Sequence, residues 1–117
     1  LPRVFFLDRL QKVIYIESML TKNQISEEVA ALNKKVGITL KRLRETHGLQ
    51  QMEIASEVSV VPNHISSIEK GHKGCDGRKL LAFSKLFNVT TDFLLTGNRE
   101  GLSSASKAML DGSPWFD

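Results

Sequence analysis

The sequence predicts an all-α protein: a five-helix domain with an N-terminal helical extension and a short C-terminal tail. Three observations carry this. Apolar residues from Ile25 to Leu43 recur at intervals of three and four, as one face of a helix requires. Glycines, a proline and polar capping residues then divide the chain from Gly48 to Gly97 into short helix-sized segments. Within that region, the run from Gly48 to Gly71 fits two short helices joined by a tight turn. The chain has 117 residues and a hydrophobic fraction of 41%, enough for one compact domain of ordinary size with terminal extensions. The expected divisions are an extension over 1–24, the helical domain over 25–97 and a tail over 98–117.

In the extension, Phe6, Leu10, Val13 and Ile14 lie at helical spacing, and Val4, Phe5, Leu7 and Ile16 make the segment apolar nearly all round. Such a segment does not stay alone in water. It packs on the domain, mediates dimerisation, or is leader sequence upstream of Met19 as the natural start. From Ile25, the positions Val29, Leu32, Val36, Leu40 and Leu43 describe one long helix or two helices meeting near Gly37. Ser26, followed by Glu27 and Glu28, suits an N-cap, and Lys41, Arg42 and Arg44 suit the C-terminal end. Gly48 closes that helix in a left-handed conformation.

The next helix is expected over 51–58, with Ile54, Ala55 and Val58 on one face. A turn at Ser59 and Val60 leads to a helix from Pro62 to about Lys70, with Ile65 and Ile68 inward and Pro62 in the first turn. Residues 72–77, HKGCDG, form a loop. Asp76 caps a helix from Gly77 to Phe87 with Leu80, Phe83 and Phe87 inward, and Asn88 ends it. Thr90 caps a last short helix holding Phe93 and Leu94, stopped at Gly97. The tail has one or two weak helical turns around Ala105 to Leu110, and Trp115 and Phe116 either dock on the domain, face a partner subunit or fray.

The outward residues of the second helix of the pair are Pro62, Asn63, His64, Ser66 and Ser67, small and mostly polar. Hydrogen-bonding groups on short stems suit docking against base edges in the major groove of DNA. The segment from about Val36 to Gly97 resembles the Cro/repressor-type (XRE) helix-turn-helix family of bacterial and phage regulators. The match includes Arg44 before Gly48, Gln51, the Ile54–Ala55 pair, Ile65, Ile68–Glu69, Gly71 and the closing NVTTDFLLTGN. The resemblance implies a lambda-repressor-like fold and a DNA-binding transcriptional regulator, a homodimeric repressor on an inverted-repeat operator. It also implies that Val61, Pro62, Asn63 and Ser67 face base edges, that Gln51 holds the DNA backbone, and that Arg44 pairs with Glu69 across the core.

Asn63 is the first candidate base reader, because its amide donates and accepts together, matching adenine N6 and N7. His64 and Ser67 follow, while Val61 and Pro62 offer only apolar contact. Phosphate contacts fall to Gln51, Ser66, Lys70, His72, Lys73 and Arg78, with Lys79 beside them and a second cluster at Lys41 and Arg42. Gln50 and Val61 stand where Ser or Thr usually cap the two helices, a loss of ~1 kcal/mol each if uncompensated. Ser59 replaces the common turn glycine and carries a left-handed backbone cost.

Charge placement agrees with a nucleic-acid partner. Residues 34–99 carry 11 Lys and Arg against 6 Asp and Glu, residues 1–33 carry 4 of each sign, and the tail is acidic. Cys75 is the only cysteine, so no intramolecular disulfide forms and a reducing, cytoplasmic setting is expected. No apolar run approaches the roughly 18 to 20 residues that span a bilayer, and Asp8, Arg9 and Lys12 interrupt the opening segment as a signal peptide. His64, His72 and Cys75 invite a metal reading, but a structural zinc site needs four ligands in recognisable pairs. No metal or cofactor is implied, and neither a nucleophilic triad, a paired-acid signature nor a phosphate loop points to an enzyme. Two rival readings remain: an antitoxin-type module that binds a protein partner through its ends and DNA secondarily, and a controller of restriction-modification genes.

Overall fold

A computed structural model describes the backbone of residues 2–116 and the side chains of residues 10–13 and 21–116. Among these residues the chain is helical without a strand: α1 (Pro2–Thr46), α2 (Gln51–Glu57), α3 (Pro62–Glu69), α4 (Gly77–Phe87), α5 (Thr91–Thr96), α6 (Ser104–Asp111) and a closing 3-10 turn (Pro114–Phe116). The chain divides into two units, residues 1–30 and 31–117. In the first unit the described apolar side chains Leu10, Val13, Ile25 and Val29 are each about half exposed. The expectations for Val4, Phe5, Phe6, Leu7, Ile14 and Ile16 lie outside the described side chains. No described helix is long and apolar enough to cross a membrane.

Ser26 is not a cap. An N-cap needs an extended backbone, and here α1 runs through the position because neither glycine nor proline interrupts it between Pro2 and Gly37. The helix also continues through Gly37 instead of breaking there. A Cβ at Gly37 would lie 2.3 Å from the carbonyl oxygen of Ile68 and 2.7 Å from that of Glu69, so the missing side chain lets α1 approach the end of α3. Gly48, at φ +66, closes α1 as expected.

In the second unit, Val36, Leu40 and Leu43 of α1 are buried with Ile54, Ala55 and Val58 of α2, Ile65 and Ile68 of α3, Phe83 and Phe87 of α4, and Phe93 and Leu94 of α5. Local capping fixes the later helices. The Asp76 carboxylate accepts from Lys79 N–H at 2.9 Å, the Thr90 hydroxyl accepts from Phe93 N–H at 3.0 Å, and the Ser103 hydroxyl accepts from Ser106 N–H at 3.1 Å. Asn88 ends α4 in the left-handed region and Gly97 ends α5.

The tail docks on the helical unit. Leu110 is fully buried and Leu102 nearly so, because Ser103 starts a true two-turn helix whose inner face fills the core. The Phe116 ring lies 6.0 Å from that of Phe93, the Thr46 and Ser113 hydroxyls meet at 2.8 Å, and Arg99 donates to Asp111 at 2.7 Å and to the Phe116 carbonyl at 3.0 Å. Trp115 stays half-exposed.

Candidate nucleic-acid interface

α2, the turn and α3 form the centre of the site. At the start of α2, the Glu53 carboxylate accepts from Gln50 N–H at 3.1 Å, which makes up part of the cap that Gln50 was expected to lose. Ser59 sits at φ 58, the left-handed conformation its place in the turn demands, and Val60 N–H bonds back to Ala55 C=O at 3.0 Å. Val61 caps α3 with backbone alone: its carbonyl accepts from His64 N–H at 2.9 Å, and its side chain makes no cap bond. Pro62 follows at the first helical position, where no N–H is needed.

With Ile65 and Ile68 locked into the core, the opposite face of α3 must look outward. Val61, Pro62, Asn63 and Lys70 are exposed there, and Ser66 and Ser67 are half-buried. His64 departs from this set. Its Nε2 is sealed from solvent without a hydrogen-bond partner. Burial, reinforced by Lys79 and Lys73 and opposed by Asp76, pushes its pKa below the ordinary histidine value. It sits one residue, or about 100°, round the helix from Asn63, which turns it toward Lys73, Asp76 and Lys79 of the loop and α4.

Three helices are tied at the back of the site. Arg44 of α1 donates through Nε to Glu69 Oε2 at 2.7 Å and through Nη2 to Oε1 at 3.1 Å, while Nη1 donates to the Leu49 carbonyl at 3.1 Å. Gln51 Nε2 of α2 donates to the same Glu69 Oε1 at 2.9 Å. The hydrogen bonds to Glu69 raise the Arg44 pKa against the opposing effect of burial. Gln51 was expected to offer its amide to a phosphate; one of the two amide N–H groups is engaged with Glu69. Only this long-range geometry reveals the Gln51–Glu69 bond, since nothing in the spacing of the two residues announces it. Gly37 did carry a signal, as a glycine on the inward stripe between Val36 and Leu40.

After α3, Gly71 turns the chain and the Ser67 carbonyl accepts from His72 N–H at 2.9 Å and Lys73 N–H at 3.3 Å. This leaves the His72, Lys73 and Arg78 side chains exposed beside Lys70, and Lys41 and Arg42 exposed on α1. Lys79 is partly turned in, 3.9 Å from Asp76. Cys75 packs against the core, and burial pushes its thiol up to about 11. Among the described residues no group of three or more His, Cys, Asp or Glu is placed to hold a metal ion.

A pair of short helices packed on a third, with a small polar face turned outward and cations around its end, is the arrangement of a helix-turn-helix. Residues 40–94 match the helix-turn-helix family. A 60-residue stretch is 37% identical to the HTH-type transcriptional regulator ImmR of Bacillus subtilis (strain 168), covering 51% of this chain and 47% of that protein. The match thus spans about half the length of that relative. No solved structure matches. Residues 40–94, a little under half of the chain, thus carry a helix-turn-helix domain similar to that of the transcriptional regulator it matches.

Proposed function

We propose that the chain acts as a homodimeric repressor, placing α3 of each copy in successive major grooves of an inverted-repeat operator. The half-sites would lie about one helical turn, roughly 34 Å, apart. The observation that carries this reading is the exposed face of α3, with Asn63 unencumbered at its N-terminal end and the helix's other end held by the Arg44–Glu69–Gln51 bonds. In this reading Asn63 and Ser67 read bases and Val61 and Pro62 lie against the same edges. Ser66, Lys70, His72, Lys73 and Arg78 meet phosphates, which set register and affinity without reading sequence. His64 supports the loop, and Gln51 orients α3 through Glu69.

Selection of bound sequences from random DNA, with the solution mass measured alongside, tests the reading. An enriched palindromic motif and a dimeric mass are expected. On the selected operator, Asn63→Ala weakens binding by ~1–3 kcal/mol and leaves random DNA unaffected. Lys73→Ala weakens both and lowers the salt slope by about one. Equal losses on operator and random DNA for Asn63→Ala would remove it from the base readers, and a monomeric mass on DNA would remove the dimer.

A further inference from the structure

We propose that Val61, with Pro62 beside it, reads the C5-methyl group of a pyrimidine in each half-site. The inference rests on the DNA-binding reading above and names the chemical group recognised at one corner of the interface. Val61 is 66% exposed, although the apolar residues around it, Val58, Ile65 and Ile68, are buried. It occupies the N-cap of α3 but supplies no side-chain bond to the first-turn N–H groups, which Ser or Thr would do. Its side chain therefore serves neither the core nor the cap, while it stands at the end of α3 nearest Asn63. Pro62 removes the backbone N–H at the next position, and neither side chain at this corner carries a hydrogen-bond donor. The base edges of the major groove are polar except at the C5-methyl group of thymine. A 5-methylcytosine presents the same group from a different base.

The test uses the operator selected from random DNA. Replacing thymine by uracil, position by position, deletes only the methyl group, and replacing cytosine by 5-methylcytosine adds it. If thymine is the source, uracil at the contacted position of a single half-site weakens binding by about fourfold, the effect of burying one methyl group. If methylcytosine is the source, its introduction at one position strengthens binding by a similar factor. Val61→Ser abolishes either response while raising the midpoint of thermal unfolding, because its hydroxyl caps α3. That gain shows that the lost discrimination does not come from misfolding. A wild-type protein indifferent to every methyl change on an enriched operator overturns this inference and leaves the DNA-binding reading standing. A methyl response that persists in both Val61→Ser and Pro62→Ala overturns the assignment to this corner. Failure to enrich any motif defeats the DNA-binding reading itself, and this inference with it.

Discussion

His64 shows how two neighbours in sequence can sit in different surroundings. Its position next to Asn63 suggests a base reader, because adjacent residues look equivalent in a linear sequence. On α3 they diverge in direction, and the imidazole Nε2 is buried without a partner. A proton there creates a charge without solvent, next to Lys79 and Lys73. The folded-state pKa therefore lies below the unfolded one, and over that interval the unfolded chain binds more protons. The neutral ring's contribution is present above the unfolded value of about 6.5 and is lost as the pH falls through the folded value. Urea unfolding between about pH 7 and pH 5 should show stability falling with acid, and His64→Gln should flatten that slope. In NMR titration the native imidazole should have a midpoint below that of free histidine; an equal or higher midpoint would contradict its burial. Asn63, by contrast, sits exposed as its spacing indicates, because periodicity alone fixes which side of a short helix the core excludes.

Among the elements, the helices with local punctuation were the readable ones. Asp76, Asn88, Thr90 and Gly97 mark the ends of α4 and α5, since caps bond within one turn of themselves and need no tertiary partner. Ser26 fails as a cap for the complementary reason: a capping residue also fits a helix interior when nothing upstream breaks the helix. Gly37 is a third case, a glycine kept for a contact with α3 rather than for a turn. Gly37→Ala should destabilise the protein by ~1–3 kcal/mol despite alanine's better helix propensity, because its Cβ meets backbone carbonyls that cannot rotate away. Denaturant unfolding measures the loss, and a stabilised variant would show that α1 and α3 are not in this contact. Operator affinity should fall as well, since any relief of the clash shifts the end of α3.

At the scale of the molecule, the change in composition after Gly97 reads as a separate tail, yet α6 completes the core of the second unit. The inference from composition misses this because Leu102 and Leu110 find their partners on helices far away in sequence. Leu110→Ala should cost ~2–5 kcal/mol, the range for a large-to-small change at a fully buried site. A loss under about 1 kcal/mol, the range of a surface change, would mean the tail is dispensable. The Arg44–Glu69–Gln51 bonds bear on the same unit in a different way. Because they tie α1, α2 and α3 together, the orientation of α3 is settled when the chain folds rather than when DNA arrives. Complex formation then has little backbone entropy left to remove from the helix pair. On the proposed DNA contact, the unfavourable ordering that remains would belong to the exposed side chains of Asn63, Lys70, Lys73 and Arg78, and to the release or trapping of water around them.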